Sequence, residues 1–184
     1  MSDGDTARTT RSPMAGLRPL PDKKRASAHS KAIFNEHAQA ILDEWERRRR
    51  NPPGRRAESA NSWLKREAYG LIRHYIENEM TSVFRRNLRA DRRPNRLVED
   101  AIRNPFKLGL LAMFADESVL SRTNRHAFGN QMLFAWAHDV PTDFLNAFLA
   151  ISGGPAQIAQ KIKAEEAEPG FEHRFDVKRL RLNL

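Results

Sequence analysis

The sequence predicts an all-α protein: an irregular bundle of about six helices, one of them long, between a disordered basic N-terminal tail and an extended C-terminal tail. Three observations carry this prediction. Apolar residues recur at intervals of three and four along most of the 184-residue chain. Proline and glycine interrupt that pattern at helix-length spacings. Alternation of apolar and basic residues is confined to the end, where Phe175, Val177, Leu180, Leu182 and Leu184 lie among Lys and Arg. The implied organisation is a tail over 1–28, a single helical domain over 29–168 and an extended segment over 169–184.

Residues 1–28 carry Gly4, Pro13, Gly16, Pro19 and Pro21, many Ser and Thr, and little that is apolar. Such a segment cannot offset its ordering entropy by burial. The first helix is expected over Ser30 to Arg50, where Ile33, His37, Ile41 and Trp45 repeat every four residues. Asn51-Pro52-Pro53-Gly54 stops it. A long second helix is expected from Ala60 to Ala90, with Ser59 or Asn61 as its cap. At 1.5 Å per residue it would span about 45 Å, and Gly70 is its expected weak point.

A short helix follows over Arg96 to Arg103. Phe106 to Ala115 is apolar nearly all round, the mark of a buried central helix. Further helices are expected from Val119 to His138 and from Asp143 to Ile151, the second closed by Gly153-Gly154. The last opens at Pro155 and reaches Ala167, before Pro169-Gly170. Phe171 to Leu184 reads as an exposed strand, a docking tail or a disordered end.

Composition narrows the chemistry. The chain has no Cys, so disulfides, thiolate metal sites and cysteine nucleophiles are excluded. No run of 18 apolar residues suggests a membrane span, and the first twenty residues lack a signal-peptide core, so the expectation is a cytoplasmic protein without a membrane role. Charge is uneven: residues 1–107 hold 24 Lys and Arg against 14 Asp and Glu, whereas residues 108–184 hold 8 against 9. A basic half suggests an anionic partner. Arg outnumbers Lys by 24 to 8, which a GC-rich genome would also produce.

Two arginine clusters stand out as candidate nucleic-acid contacts. One is Arg47, Arg48, Arg49 and Arg50, continued by Arg55 and Arg56 across the Pro-Gly break. The other is Arg85, Arg86, Arg89, Arg92, Arg93 and Arg96, several of which share a helix face. Guanidinium groups so grouped neutralise phosphates and release counterions. The competing account is two solvated faces, partly balanced by Glu44, Glu46 and Asp91.

Other chemistry finds less support. Pro155 to Ile162 has the apolar spacing of a first helix in a helix-turn-helix, but Glu165, Glu166 and Glu168 stand where a recognition helix would begin. His74 with Glu77, and His138 with Asp139, lack the paired Glu-x-x-His pattern of a helical di-metal site. The chain contains no nucleophile-elbow, dinucleotide or P-loop motif. Ser152-Gly153-Gly154 reads as a helix end. The aromatics of the second half read as packing core. No catalytic residue, cofactor or metal is expected. The favoured function is a nucleic-acid-binding accessory or regulatory protein that contacts phosphates through its Arg-rich half. The alternative is a non-catalytic protein-interaction module, a helical adaptor or a homodimer. An enzyme ranks last.

Overall fold

A computed structural model describes residues 16–22, 29–52, 54, 57–90, 95–114 and 118–181, with the backbone alone at 90, 95, 96 and 100. The described residues form α-helices and short 3-10 turns, with no strand. The helices are α1 (Ser30–Arg50), α2 (Ala60–Glu77), α3 (Ser82–Ala90), α4 (Asn95–Ile102), α5 (Pro105–Met113), α6 (Arg122–Ala137), α7 (Leu145–Ser152), α8 (Pro155–Ala164) and α9 (Val177–Leu180).

Helices α1 and α2 pair antiparallel. At one end Trp45 Nε1 donates to Asn61 Oδ1 at 3.2 Å; at the other the Tyr75 hydroxyl donates to the Ser30 carbonyl at 3.0 Å. The buried stripe of α1 comprises Phe34, Ala38, Ile41 and Trp45, at spacings of four, three and four. Helix α5 is the centre of the molecule. All its residues except Lys107 are buried, as the all-round apolar pattern demands, and it packs against α1, α2, α3, α4 and α6. Gly109 permits the close approach of α2, since a Cβ there would lie 2.7 Å from Ile72. The cap of α5 is Asn104, whose Oδ1 accepts from the Phe106 and Lys107 amides at 3.0 and 3.1 Å. Ser59 caps α2 in the same way, accepting from Ser62 N at 3.2 Å.

The expected helix over 60–90 is two helices. It breaks at Asn78–Thr81, not at Gly70, which lies inside α2 with Thr142 packed against it. Glu79 adopts a left-handed conformation with φ of 56°. The Met80 amide then donates to the Tyr75 carbonyl at 2.8 Å, and the Glu79 amide to that of Ile76 at 3.0 Å. This pair of bonds is a Schellman termination. The same arrangement ends α6 at Asp139 and α8 at Glu165, so α8 stops at Ala164 and not Ala167.

The C-terminal segment is not extended. A 3-10 turn over Glu172–Arg174 leads into α9, and both lie against the main body. The Asp176 amide donates to the Ala137 carbonyl at 2.8 Å, and Arg179 Nη1 to that of Trp136 at 2.6 Å. These are carbonyls that a helix end leaves without intrahelical partners. Phe171 packs on Phe148 and Phe175 on His138, so the apolar residues dock as single turns rather than as one face of a strand.

The disordered tail expected over 1–28 holds an ordered stretch. Residues 16–22 lie across α1 and α2, with Pro21 buried. The His37 imidazole bonds the Arg18 carbonyl at 2.8 Å, His74 bonds the Pro21 carbonyl at 2.6 Å, and Arg18 Nε meets Glu36 at 2.6 Å. The local composition hides this strap because its partners are histidines far along the chain. The rest of the expected tail lies outside the described residues.

Candidate nucleic-acid interface

The first arginine cluster ends α1. Glu44 sits at the edge of the buried stripe and is itself buried. The i+3 and i+4 positions of the helix bring two guanidinium groups to it. Arg47 Nε and Nη2 each meet its carboxylate at 2.6 Å, and Arg48 Nε at 2.7 Å. The hydrogen bond from Arg47 holds the Glu44 carboxyl below its ordinary range. Arg48 also lies over the Trp63 ring and Arg49 over that of Trp45, each 4.8 Å from the centroid. Arg50 pairs with Glu46 at 3.0 Å. The four charges also complement the negative end of the helix dipole. This cluster is therefore bound into the α1–α2 junction, with two carboxylates against four guanidinium groups. Arg55 and Arg56 lie outside the described residues.

The second cluster is arranged differently. Helix α3 buries Val83, Phe84, Asn87 and Leu88, which turns Arg86 and Arg89 outward. Neither has an ion-pair partner among the described residues. Arg85 is half-buried, with its Nε enclosed and unpartnered there. Arg96 belongs to α4, of which the backbone is described at that position; Arg92 and Arg93 lie outside the described residues.

The structure separates the two clusters. Phe84 packs on Phe34, and Asn87 Nδ2 donates to Asn35 Oδ1 at 2.6 Å, which fixes α3 beside the first half of α1. From Asn35 to Arg48 the helix rises about 20 Å. The described arginines of the two clusters thus lie towards opposite ends of α1; the break at Asn78–Thr81 folds α3 back beside α1, where an unbroken helix would carry Arg86 and Arg89 past Ser30.

A third basic concavity lies where α4, α5 and the start of α6 meet. Arg122, Arg125 and His126 of the first turns of α6 and Lys107 of α5 surround an apolar floor of Leu97, Ala101 and Leu111, enclosing about 290 Å³. Each of these four residues already interacts within the chain. The sequence signal for it, three basic residues in one helix start, is weak because its fourth member comes from a different helix.

The histidines weighed for metal binding serve the fold. His74 holds the N-terminal strap while Glu77 pairs with Arg73 at 2.7 Å. His138 is fully enclosed among Phe134, Phe148 and Phe175. No group of three potential metal ligands occurs among the described residues, and none of their helices is long and apolar enough to cross a membrane. Comparison with protein-family models, curated proteins and solved structures finds no match for this chain.

Proposed function

We propose that the chain is a non-catalytic accessory or regulatory protein that binds nucleic acid through phosphate contacts, with the outer face of α3 as the primary surface. The observation that carries this reading is the outward pair Arg86 and Arg89, one helical turn apart, without carboxylate partners among the described residues. Guanidinium groups so placed meet phosphate without first breaking an ion pair. The α1 arginines contribute less, because Glu44 and Glu46 compete with phosphate for them. Nothing in this surface reads bases, so the binding is weak and independent of sequence. The test is fluorescence anisotropy with labelled duplex DNA and RNA over increasing salt. Affinity that falls steeply with salt supports the reading; no binding to either duplex at 50 mM salt contradicts it.

A second reading, a protein-interaction module, draws on α7 and the turn before it. Phe144 is 63% exposed and Ile151 60%, seven residues apart, with exposed Ala147 between them. Their spacing puts them on one side of the helix. Analytical ultracentrifugation of the chain with Phe144→Ser and Ile151→Ser separates this reading from the first, since neither substitution alters charge.

A further inference from the structure

The concavity between α4, α5 and the start of α6 joins two kinds of lining. Leu97 and Ala101, one turn apart on α4, form an apolar floor, with Leu97 half-buried. Lys107 of α5 and Arg122, Arg125 and His126 of α6 stand around it. Arg122 and His126 are four residues apart, so they share one face of α6, and both are exposed. Lys107 is half-buried, and Gly129 leaves room for its stem, since a Cβ there would overlap Lys107 Cγ. Arg125 is 5% exposed, and its Nη2 donates to the Leu120 carbonyl at 3.1 Å. It therefore belongs to the wall, where its charge is little screened by solvent. Contact with an occupant falls to Arg122, His126 and Lys107.

This lining selects an occupant by both charge and shape. The cations call for an anionic head, and a guanidinium group matches the two oxygens of a carboxylate. No carboxylate is among the described residues that line the concavity, so a cationic ligand would go unmatched. The aliphatic floor favours an apolar body, which an inorganic anion lacks. The space of about 290 Å³ holds roughly ten water-sized groups at about 30 Å³ each. Each of the four basic residues also interacts within the chain, so a ligand meets side chains that the fold has already placed. We propose that this concavity binds a small amphiphilic carboxylate of the medium-chain acyl class. Its head lies at Arg122, His126 and Lys107, and its chain on Leu97 and Ala101.

The site shares no residue with α3, so it stands apart from phosphate binding there. Titration of the full chain with octanoate, followed by the amide spectrum in nuclear magnetic resonance, tests it directly. A ligand of about ten non-hydrogen atoms should bind with a Kd in the millimolar range or tighter. Saturable shifts of Ala101, Lys107 and His126 are expected, unchanged in Arg86→Ala/Arg89→Ala. Arg122→Ala/His126→Ala, at exposed positions, should weaken binding at least tenfold with the fold intact. Ala101→Leu, which fills the floor, should do the same; if it does not fold, Leu97→Gln takes its place with the same expectation. Octanol tests the head and acetate the body, and each should bind at least tenfold more weakly than octanoate. No saturable shift with octanoate up to about 10 mM overturns the proposal. So does a loss smaller than tenfold in the folded variants, or binding of octanol or acetate as tight as that of octanoate.

Discussion

His138 Nε2 accepts a hydrogen bond from the backbone amide of Glu168 at 2.9 Å, thirty residues later in the chain. Its Nδ1–H donates to the Phe134 carbonyl at 2.7 Å. An amide can only donate and a carbonyl only accept, so both bonds form only with the neutral ring protonated at Nδ1. The ring thereby fastens the chain after α8 to the end of α6, where Phe171 and Phe175 complete the cluster.

Burial lowers the His138 pKa from the ordinary imidazole value of 6.5; the bond to the Phe134 carbonyl and the nearby Glu168 carboxylate oppose this, and Lys161 reinforces it. The unfolded chain takes up a proton as pH falls through about 6.5, while the folded chain resists until its lower pKa. Stability from this group is thus complete above 6.5 and declines below it. Urea unfolding at pH 7.5 and 5.5 should show a loss in the wild type that His138→Gln reduces, because Gln keeps one donor and one acceptor but does not titrate. Equal losses in both proteins would remove His138 from the explanation.

Glu79 holds a backbone conformation that disfavours a side chain by about 1 kcal/mol. Glu79→Gly should therefore raise stability by about 0.5–1 kcal/mol, read as a higher denaturation midpoint with unchanged slope. Glu79→Val should lower it by more than 1 kcal/mol, since a β-branched residue fits that conformation worst.

The strap over 16–22 adds the Leu20 and Pro21 contacts and two histidine–carbonyl bonds to α1 and α2. Removing residues 1–22 should cost about 2 kcal/mol, from roughly 1 kcal/mol per hydrogen bond and the small apolar area uncovered. Thermal melts of the full and shortened chains measure it. An unchanged midpoint would mean that the strap is not held in solution.

Glu44 occupies Arg47 and Arg48. Glu44→Gln should release them, so affinity for duplex rises and the salt slope steepens by about one unit for one added phosphate contact. A slope identical to wild type would show that neither arginine reaches phosphate, Arg48 being held on the Trp63 ring.

Much of this architecture is legible in the sequence where one strong local signal decides it. The four-residue repeat and the arginine-rich end define α1, and the unbroken apolar run of Phe106 to Met113 marks the central helix. The misread elements share a cause. The break after Glu77 carries no glycine, since Glu79 holds the left-handed position that glycine usually signals. The strap and the C-terminal turns depend on His37, His74 and His138, partners remote in sequence that no local periodicity reveals. At the candidate site, the sequence lists the arginines but cannot distinguish Arg47, committed to Glu44, from Arg86, committed to nothing described.

The salt dependence of duplex binding in two paired variants measures which arginines reach phosphate. Each charge lost from a phosphate contact lowers the slope of log affinity against log salt by about 0.9. Arg86→Ala/Arg89→Ala should lower it by nearly two units, with the fold intact by circular dichroism. Arg47→Ala/Arg50→Ala should change it by less than one. The reverse order, or equal slopes in the two variants, would contradict the assignment of α3 as the phosphate-binding face.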